Sequence, residues 1–320
     1  MMVMRRIWAV LIIGMLALVG VGCATSPATG KSQLNWISPE QELRLGEEAQ
    51  PVFIEDNGGE IPSDAILSYV RHIGQQLAEV SERPDLPWEF HVLDSEQINA
   101  FALPGGKVFI ARGLLALMTN EAQLAGVLGH EVGHVTDQHM GQRMTQAMIV
   151  QGVAVGLGVA GEVQDDDLLR ALGIGAGAGG TIYLLKFNRD QETTADRLGV
   201  RYMTRIGYNP VGMLQVMEVL AAASAGGQRQ PEFFSTHPYP ETRVKNLTKL
   251  IREEYPDFED VTKYRIEAAR FETQVLVPLR GLPPPRHGAQ QQAHAGSGAS
   301  WCAHCQHALE MQVVGAWSDE

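Results

Sequence analysis

His130-Glu131-Val132-Gly133-His134 is the stretch on which the reading of this chain turns. It lies in an apolar run that predicts one helix from about Glu121 to about Met148, opened by Asn120 as N-cap. Residues four apart on a helix differ by about 40° of rotation, so the two histidines face the same way. Two imidazoles one turn apart can share one Zn2+ at about 2.0–2.1 Å each. Glu131 stands beside them, placed to hold a water and take its proton. Leu124, Val127, Leu128 and Val135 surround the motif. Polar side chains in so apolar a helix need partners, and a metal supplies them. The competing reading is a chance His-Glu-His on a solvated face.

A catalytic zinc needs a third protein ligand and an open position. Met140 and Asp137 stand where a metzincin has His and Gly, so that class fails. On a continuous helix His139 points about 180° from His130 and reads as structural. Downstream, Asn188-Arg189-Asp190-Gln191-Glu192-Thr193-Thr194-Ala195-Asp196 sits on a polar helix predicted from about Asp190 to Ile206. Glu192 and Asp196 are again four apart. One carboxylate can ligate the metal, and the other can hold a ligating His by its second nitrogen. The bland alternative is a solvated acidic face.

Further out, Ser38-Pro39-Glu40-Gln41 opens a helix as cap, first-turn Pro and Gln partner, and Asn57-Gly58-Gly59 breaks it. Ser63 opens another, with Ile66, Val70, Ile73, Leu77 and Val80 on one stripe. Residues 88–93 alternate as a strand, and 99–103 and 108–111 flank Pro104-Gly105-Gly106 as a hairpin. Asn209-Pro210 and Pro240 open two more helices. The class is α+β: mostly helical, with a small sheet.

Composition limits what such a fold can do. Lys plus Arg is 25 against 37 Asp plus Glu, a net charge of -12 over 320 residues, which lacks the footprint of a nucleic-acid binder. Hydrophobic residues make up 45%, enough for a packed core, and three cysteines cannot staple a chain of this length.

The ends differ from the body. Arg5 and Arg6 precede an uncharged apolar run over 7–21, short of the roughly 20 residues a span needs, so 1–22 reads as an export signal. Gly22-Cys23 resembles a bacterial lipobox, in which Cys23 is lipidated and begins the mature chain. The alternatives are ordinary cleavage near Ala24 or an uncleaved anchor. Ala24 in place of Asp favours the outer membrane, by resemblance to lipoprotein sorting signals. After Leu282-Pro283-Pro284-Pro285, residues 286–300 have linker composition. Cys302-Ala303-His304-Cys305 then reads as a tail with a local disulfide or free thiols.

With these residues in view, the chain resembles the HtpX and CaaX-prenyl-protease family of gluzincins, a zincin-like fold. The match rests on H-E-x-x-H at 130–134, the Glu192-x-x-x-Asp196 helix, the stretch from Asn99 to Gly106, and Ser235-Thr236-His237-Pro238 with Arg243 beyond it. Cys23 and Ala28-Thr29-Gly30 resemble the periplasmic lipoprotein branch, the BepA- and LoiP-like proteins. The resemblance covers about residues 35–255 and implies a metalloendopeptidase with one Zn2+ per chain. His130, His134 and Glu192 become ligands, Glu131 the general base, and Asp196 a partner of a ligating His. His237 either stabilises the oxyanion or blocks the open site. Arg243 is either a substrate contact or a structural ion pair.

The resemblance also implies unfolded or outer-membrane protein substrates and a periplasmic site of action at the inner face of the outer membrane, reached through the lipid on Cys23. The rival is a periplasmic chaperone or assembly factor with a closed zinc site. A helical-repeat domain like that of BepA-like proteins finds no match after 280, so repeat-mediated contacts are not carried over. The expected organisation is a signal peptide at 1–22, a lipidated linker at 23–37, a metalloprotease domain at 38–280, and a low-complexity linker and tail at 281–320.

Overall fold

The computed structural model describes residues 23–156, 186–225, 231–238 and 240–286. The expected signal peptide, most of the Gly-rich apolar stretch before Lys186 and the Cys302/Cys305 tail lie outside the described residues.

The chain opens with two short antiparallel strands, β1 (Cys23–Thr25) and β2 (Ser32–Leu34), which pair Cys23 with Leu34. Helix α1 (Pro39–Asp56) starts at a capping box. Gln41 donates its N–H to the Ser38 hydroxyl at 3.2 Å, and its own side chain accepts from Ser38 N at 2.8 Å. Helix α2 (Asp64–Glu79) follows, capped by Ser63.

β3 (Glu89–Leu93), β4 (Ala100–Leu103) and β5 (Lys107–Ala111) form a three-stranded sheet in the order β3-β5-β4. β3 runs parallel to β5, and β4 antiparallel. The β4–β5 connection turns through Gly105 and Gly106 at φ 73° and 90°, a left-handed backbone that favours glycine. Strand alternation sorts the two faces. Phe90, Val92, Val108 and Ile110 pack with α2 residues Ile66, Val70 and Ile73, while Phe101, Leu103 and Phe109 pack with Leu45 and Phe53 of α1.

After the short helix α3 (Arg112–Leu115), helix α4 (Glu121–Thr136) runs through the centre, and every one of its residues is buried. Asn120 caps it, accepting from Gln123 N at 2.9 Å. The single helix expected to run on to about Met148 is in fact two. α4 ends at Thr136, Gln138 takes φ 55°, and α5 (His139–Gly156) sets off anew.

Helices α6 (Arg189–Arg205), α7 (Val211–Ala225), the one-turn α8 (Phe233–Thr236) and α9 (Pro240–Glu254) complete the wall around α4. A helical stretch over 268–280 closes the described part and includes one π turn at Glu272–Leu276. Among the described residues, no helix is long and apolar enough to cross a membrane.

Candidate metal centre

α6 lies against α4 because both present glycine at their crossing. A Cβ at Gly129 would meet Gly199 O at 3.1 Å, and one at Gly199 would meet His130 N at 2.8 Å. This contact carries Glu192 and Asp196 up to the histidines. A capping box between Asn188 and Gln191 fixes where α6 begins. Neither carboxylate faces solvent: Glu192 is 0% exposed and Asp196 3%.

His130, His134, Glu192 and His237 converge, all buried. His130 Nε2 is 3.0 Å from His134 Nε2 and 3.2 Å from His237 Nδ1. Glu192 Oε1 is 3.0 Å from His237 Nδ1 and 3.4 Å from His134 Nε2. Zinc bonds of about 2.0–2.1 Å in a tetrahedron put ligand atoms about 3.3–3.4 Å apart. The donor set therefore fits a single Zn2+.

Orphaned atoms support the same fit. Both oxygens of Glu131 and Nε2 of His237 are buried without a hydrogen-bond partner among the described residues. Buried polar groups rarely go unpaired. Glu131 Oε1 stands 3.6 Å from His237 Nε2.

The surrounding side chains fix these groups. Asp196 Oδ1 accepts from His130 Nδ1 at 2.9 Å, which leaves Nε2 free to face the cluster. Arg243 holds both oxygens of Asp196, from Nε at 2.9 Å and Nη2 at 2.6 Å. Its Nη1 stands 2.7 Å from Glu192 Oε2. Arg243 thus makes a buried ion pair with both carboxylates. Phe233 stacks on His237 at 4.3 Å between centroids, and Phe187 on His134 at 3.9 Å.

Electrostatics follow burial first. Burial pushes the Glu131 carboxyl up, against the pull of His237 and His130. Burial lowers His134 well below the usual imidazole range. For Glu192 and Asp196, burial alone would raise the carboxyls, but Arg243 and the neighbouring histidines together outweigh it and hold both down, Glu192 well below the usual range. His237 is raised, since Glu192 and Glu131 overcome its burial. Base, ligand carboxylate and imidazoles thus have distinct protonation preferences within one pocket.

The family model described as Peptidase family M48 matches residues 67–251. This chain belongs to peptidase family M48. Membership carries the class, a metalloprotease hydrolase, and the metal, zinc. The chain is 30% identical over 227 residues to the beta-barrel assembly-enhancing protease of Escherichia coli K12, covering 69% of this chain and 46% of that protein. It is 30% identical over 233 residues to the mitochondrial metalloendopeptidase OMA1 of Schizosaccharomyces pombe, covering 71% and 66%. The OMA1 of Saccharomyces cerevisiae is 28% identical over 267 residues, covering 74% and 73%. This chain thus spans less than half the length of the bacterial relative.

The structure brings together seven residues singled out from the sequence: His130, Glu131, His134, Glu192, Asp196, His237 and Arg243. Cys23 lies in β1, outside this group. Sequence reasoning overlooked Phe187 and Phe233, for which no motif gave a signal. It also misdirected His139. The break at Gln138 turns that ring back, and its Nδ1 lies 2.8 Å from His134 Nδ1.

Proposed function

We propose that this domain is a zinc metalloendopeptidase that hydrolyses peptide bonds of unfolded or misassembled cell-envelope proteins. It would act in the periplasm from a lipid anchor on Cys23, at the inner face of the outer membrane. The observation that carries the reading is four converging donor atoms, four of whose six separations are 3.0–3.4 Å, beside the carboxylate of Glu131, which has no hydrogen-bond partner among the described residues. The envelope substrate class rests on the name of the bacterial relatives and on the lipobox-like Gly22-Cys23.

His130, His134 and Glu192 hold the metal in this account. Zinc, when bound, supplies a Lewis acid for the scissile carbonyl and lowers the pKa of water toward about 7. Glu131 takes the proton of the attacking water on its carboxylate and returns it to the leaving amine. Its burial, which raises its proton affinity, suits both halves of that transfer. Arg243 and Asp196 keep His130 oriented while the proton moves. β4, at the edge of the described sheet beside α4, would pair with an extended substrate backbone once that edge is uncovered, since all four of its residues are buried here. Such pairing tolerates many side chains, as a quality-control enzyme requires.

His237 Nδ1 occupies the fourth position, where a catalytic site keeps an opening. The ring must withdraw for water and substrate to enter. We read this as a closed, resting arrangement, and the position of the His237 ring supports blocking over an oxyanion role.

Hydrolysis of denatured casein by wild type and Glu131→Gln tests the core of the proposal. The variant is expected to retain zinc and lose activity by about 100-fold or more. Equal rates would refute the general-base role. Palmitate labelling tests the anchor: Cys23→Ser should abolish incorporation, and undiminished labelling would refute lipidation at that residue.

A further inference from the structure

A buried polar chain leaves the metal cluster on the side away from Arg243. His134 Nδ1 is 2.8 Å from His139 Nδ1, and His139 Nε2 is 2.9 Å from Asp137 Oδ2. The other oxygen of that carboxylate accepts a short hydrogen bond from the Ser26 hydroxyl and one at 3.3 Å from Thr29 Oγ1. Ser26, Asp137 and His139 are 3%, 6% and 1% exposed. Burying such a chain costs desolvation at every link, and the hydrophobic packing of α4 does not call for it.

The proton assignment of the chain is forced from its metal end. With His134 Nε2 committed to a metal, its Nδ1 carries the hydrogen and donates to His139 Nδ1. His139 then carries its hydrogen on Nε2 and donates to the Asp137 carboxylate. Asp137 has acceptors left only for hydroxyl donors, and Ser26 and Thr29 are those donors. Each link has one donor and one acceptor in the only order that works. His130 meets its carboxylate, Asp196, directly, whereas His134 meets Asp137 through one intervening ring.

The far end of the chain is the N-terminal hairpin. Ser26 and Thr29 lie between β1 and β2, directly after Cys23. Gln33 adds a hydrogen bond to Gln138 at 2.9 Å, across the break that turns His139 inward.

We propose that His139, Asp137, Ser26 and Thr29 are positioning residues for the metal ligand His134, so that the hairpin next to Cys23 helps set zinc affinity. The inference rests on the ligand reading given under Proposed function. It makes residues 23–34 part of the metal site, so that a pull on the segment beside the proposed anchor would reach the zinc through three hydrogen bonds.

Zinc affinity measured by chelator competition on the full chain tests this, with the thermal midpoint of the metal-free protein read alongside. His139→Leu is expected to weaken zinc binding by about 10- to 100-fold. His139→Asn, which keeps an acceptor near the Nδ1 position, should recover most of that loss. The double variant Ser26→Ala/Thr29→Ala should weaken binding by about 3- to 10-fold, less than the roughly 10- to 100-fold of partners that touch a ligand directly, and lower the metal-free midpoint through the loss of two hydrogen bonds to a buried carboxylate. Wild-type affinity in His139→Leu would overturn the relay, and wild-type affinity in the double variant would overturn the role of the hairpin. Should His139→Leu fail to fold, the double variant decides alone. His134→Ala separates the two claims: zinc retained there refutes the ligand reading, whereas zinc lost there but unchanged in the other variants refutes only this inference.

Discussion

Arg243 grips Asp196 with two hydrogen bonds, 2.9 Å from Nε and 2.6 Å from Nη2, and both side chains are buried. The same guanidinium lies against Glu192. One cation therefore neutralises two carboxylates that would otherwise repel each other in a dry pocket. Removing one partner of a buried pair leaves an uncompensated charge and costs about 3–5 kcal/mol. Arg243→Leu should lower the unfolding free energy of the metal-free protein by about that amount in denaturant titration. Arg243→Lys should fall between, since a point charge cannot hold both oxygens of Asp196 at once. A loss under about 1 kcal/mol in Arg243→Leu would show that the pair is not structural.

The same pair sets an acid limit. Burial raises the carboxyl of Asp196, but the charge and hydrogen bonds of Arg243, with those of His130, together lower its folded-state pKa below the ordinary value. A depressed carboxyl contributes stability that is fully present above the unfolded pKa of about 3.9 and is lost as pH falls through the folded one. Metal-free wild type should therefore lose stability as pH falls below about 4, and Asp196→Asn should show a shallower dependence there from a lower plateau. Parallel curves for the two proteins would contradict the assignment.

The α4–α6 crossing allows no added carbon. A Cβ at Gly199 would lie 2.8 Å from both His130 N and the Met213 methyl carbon. Gly199→Ala should destabilise the fold by about 1–3 kcal/mol and, by shifting Glu192, weaken zinc binding too. Thermal melts of the metal-free protein check the first effect and chelator competition the second. An unperturbed variant would mean that the helices have room to separate without disturbing the site.

Much of this site was legible because its signals are local. H-E-x-x-H at 130–134 and Glu192-x-x-x-Asp196 each put two groups on one helix face, and helix periodicity is readable from spacing alone. The caps at Ser38, Ser63 and Asn120 were equally plain, and each is a short-range hydrogen bond; the Asn188 cap was not read, although its helix begins within one residue of the expected start. The break between α4 and α5 was not legible. Asp137-Gln138 carries neither Gly nor Pro, and Gln138 takes a left-handed conformation that non-glycine residues seldom adopt. Tertiary contacts hold it: Gln138 bonds Gln33 and Glu42, and Asp137 bonds Ser26. Extending the helix through that point sent His139 to the wrong side. Arg243 was left between two roles for a related reason, since only the fold shows that its guanidinium is buried among Asp196, Glu192 and His130.

Among the four donors, His237 has the shortest supporting element. It sits at the C-cap of a four-residue helix, whereas the other three donors are on longer helices. His237→Ala should keep zinc through His130, His134 and Glu192 and raise the rate of casein hydrolysis several-fold by opening the fourth position. A fall of about 100-fold or more would instead mark an oxyanion role.

In the proposed centre four buried side chains surround one zinc, with His237 in the place that water must take. X-ray absorption at the zinc edge reads that first shell directly. Wild type is expected to show three imidazole nitrogens and one carboxylate oxygen at about 2.0–2.2 Å, and His237→Ala one imidazole replaced by a water oxygen. An identical first shell in the two proteins, or a wild-type shell with only two imidazoles, would contradict it.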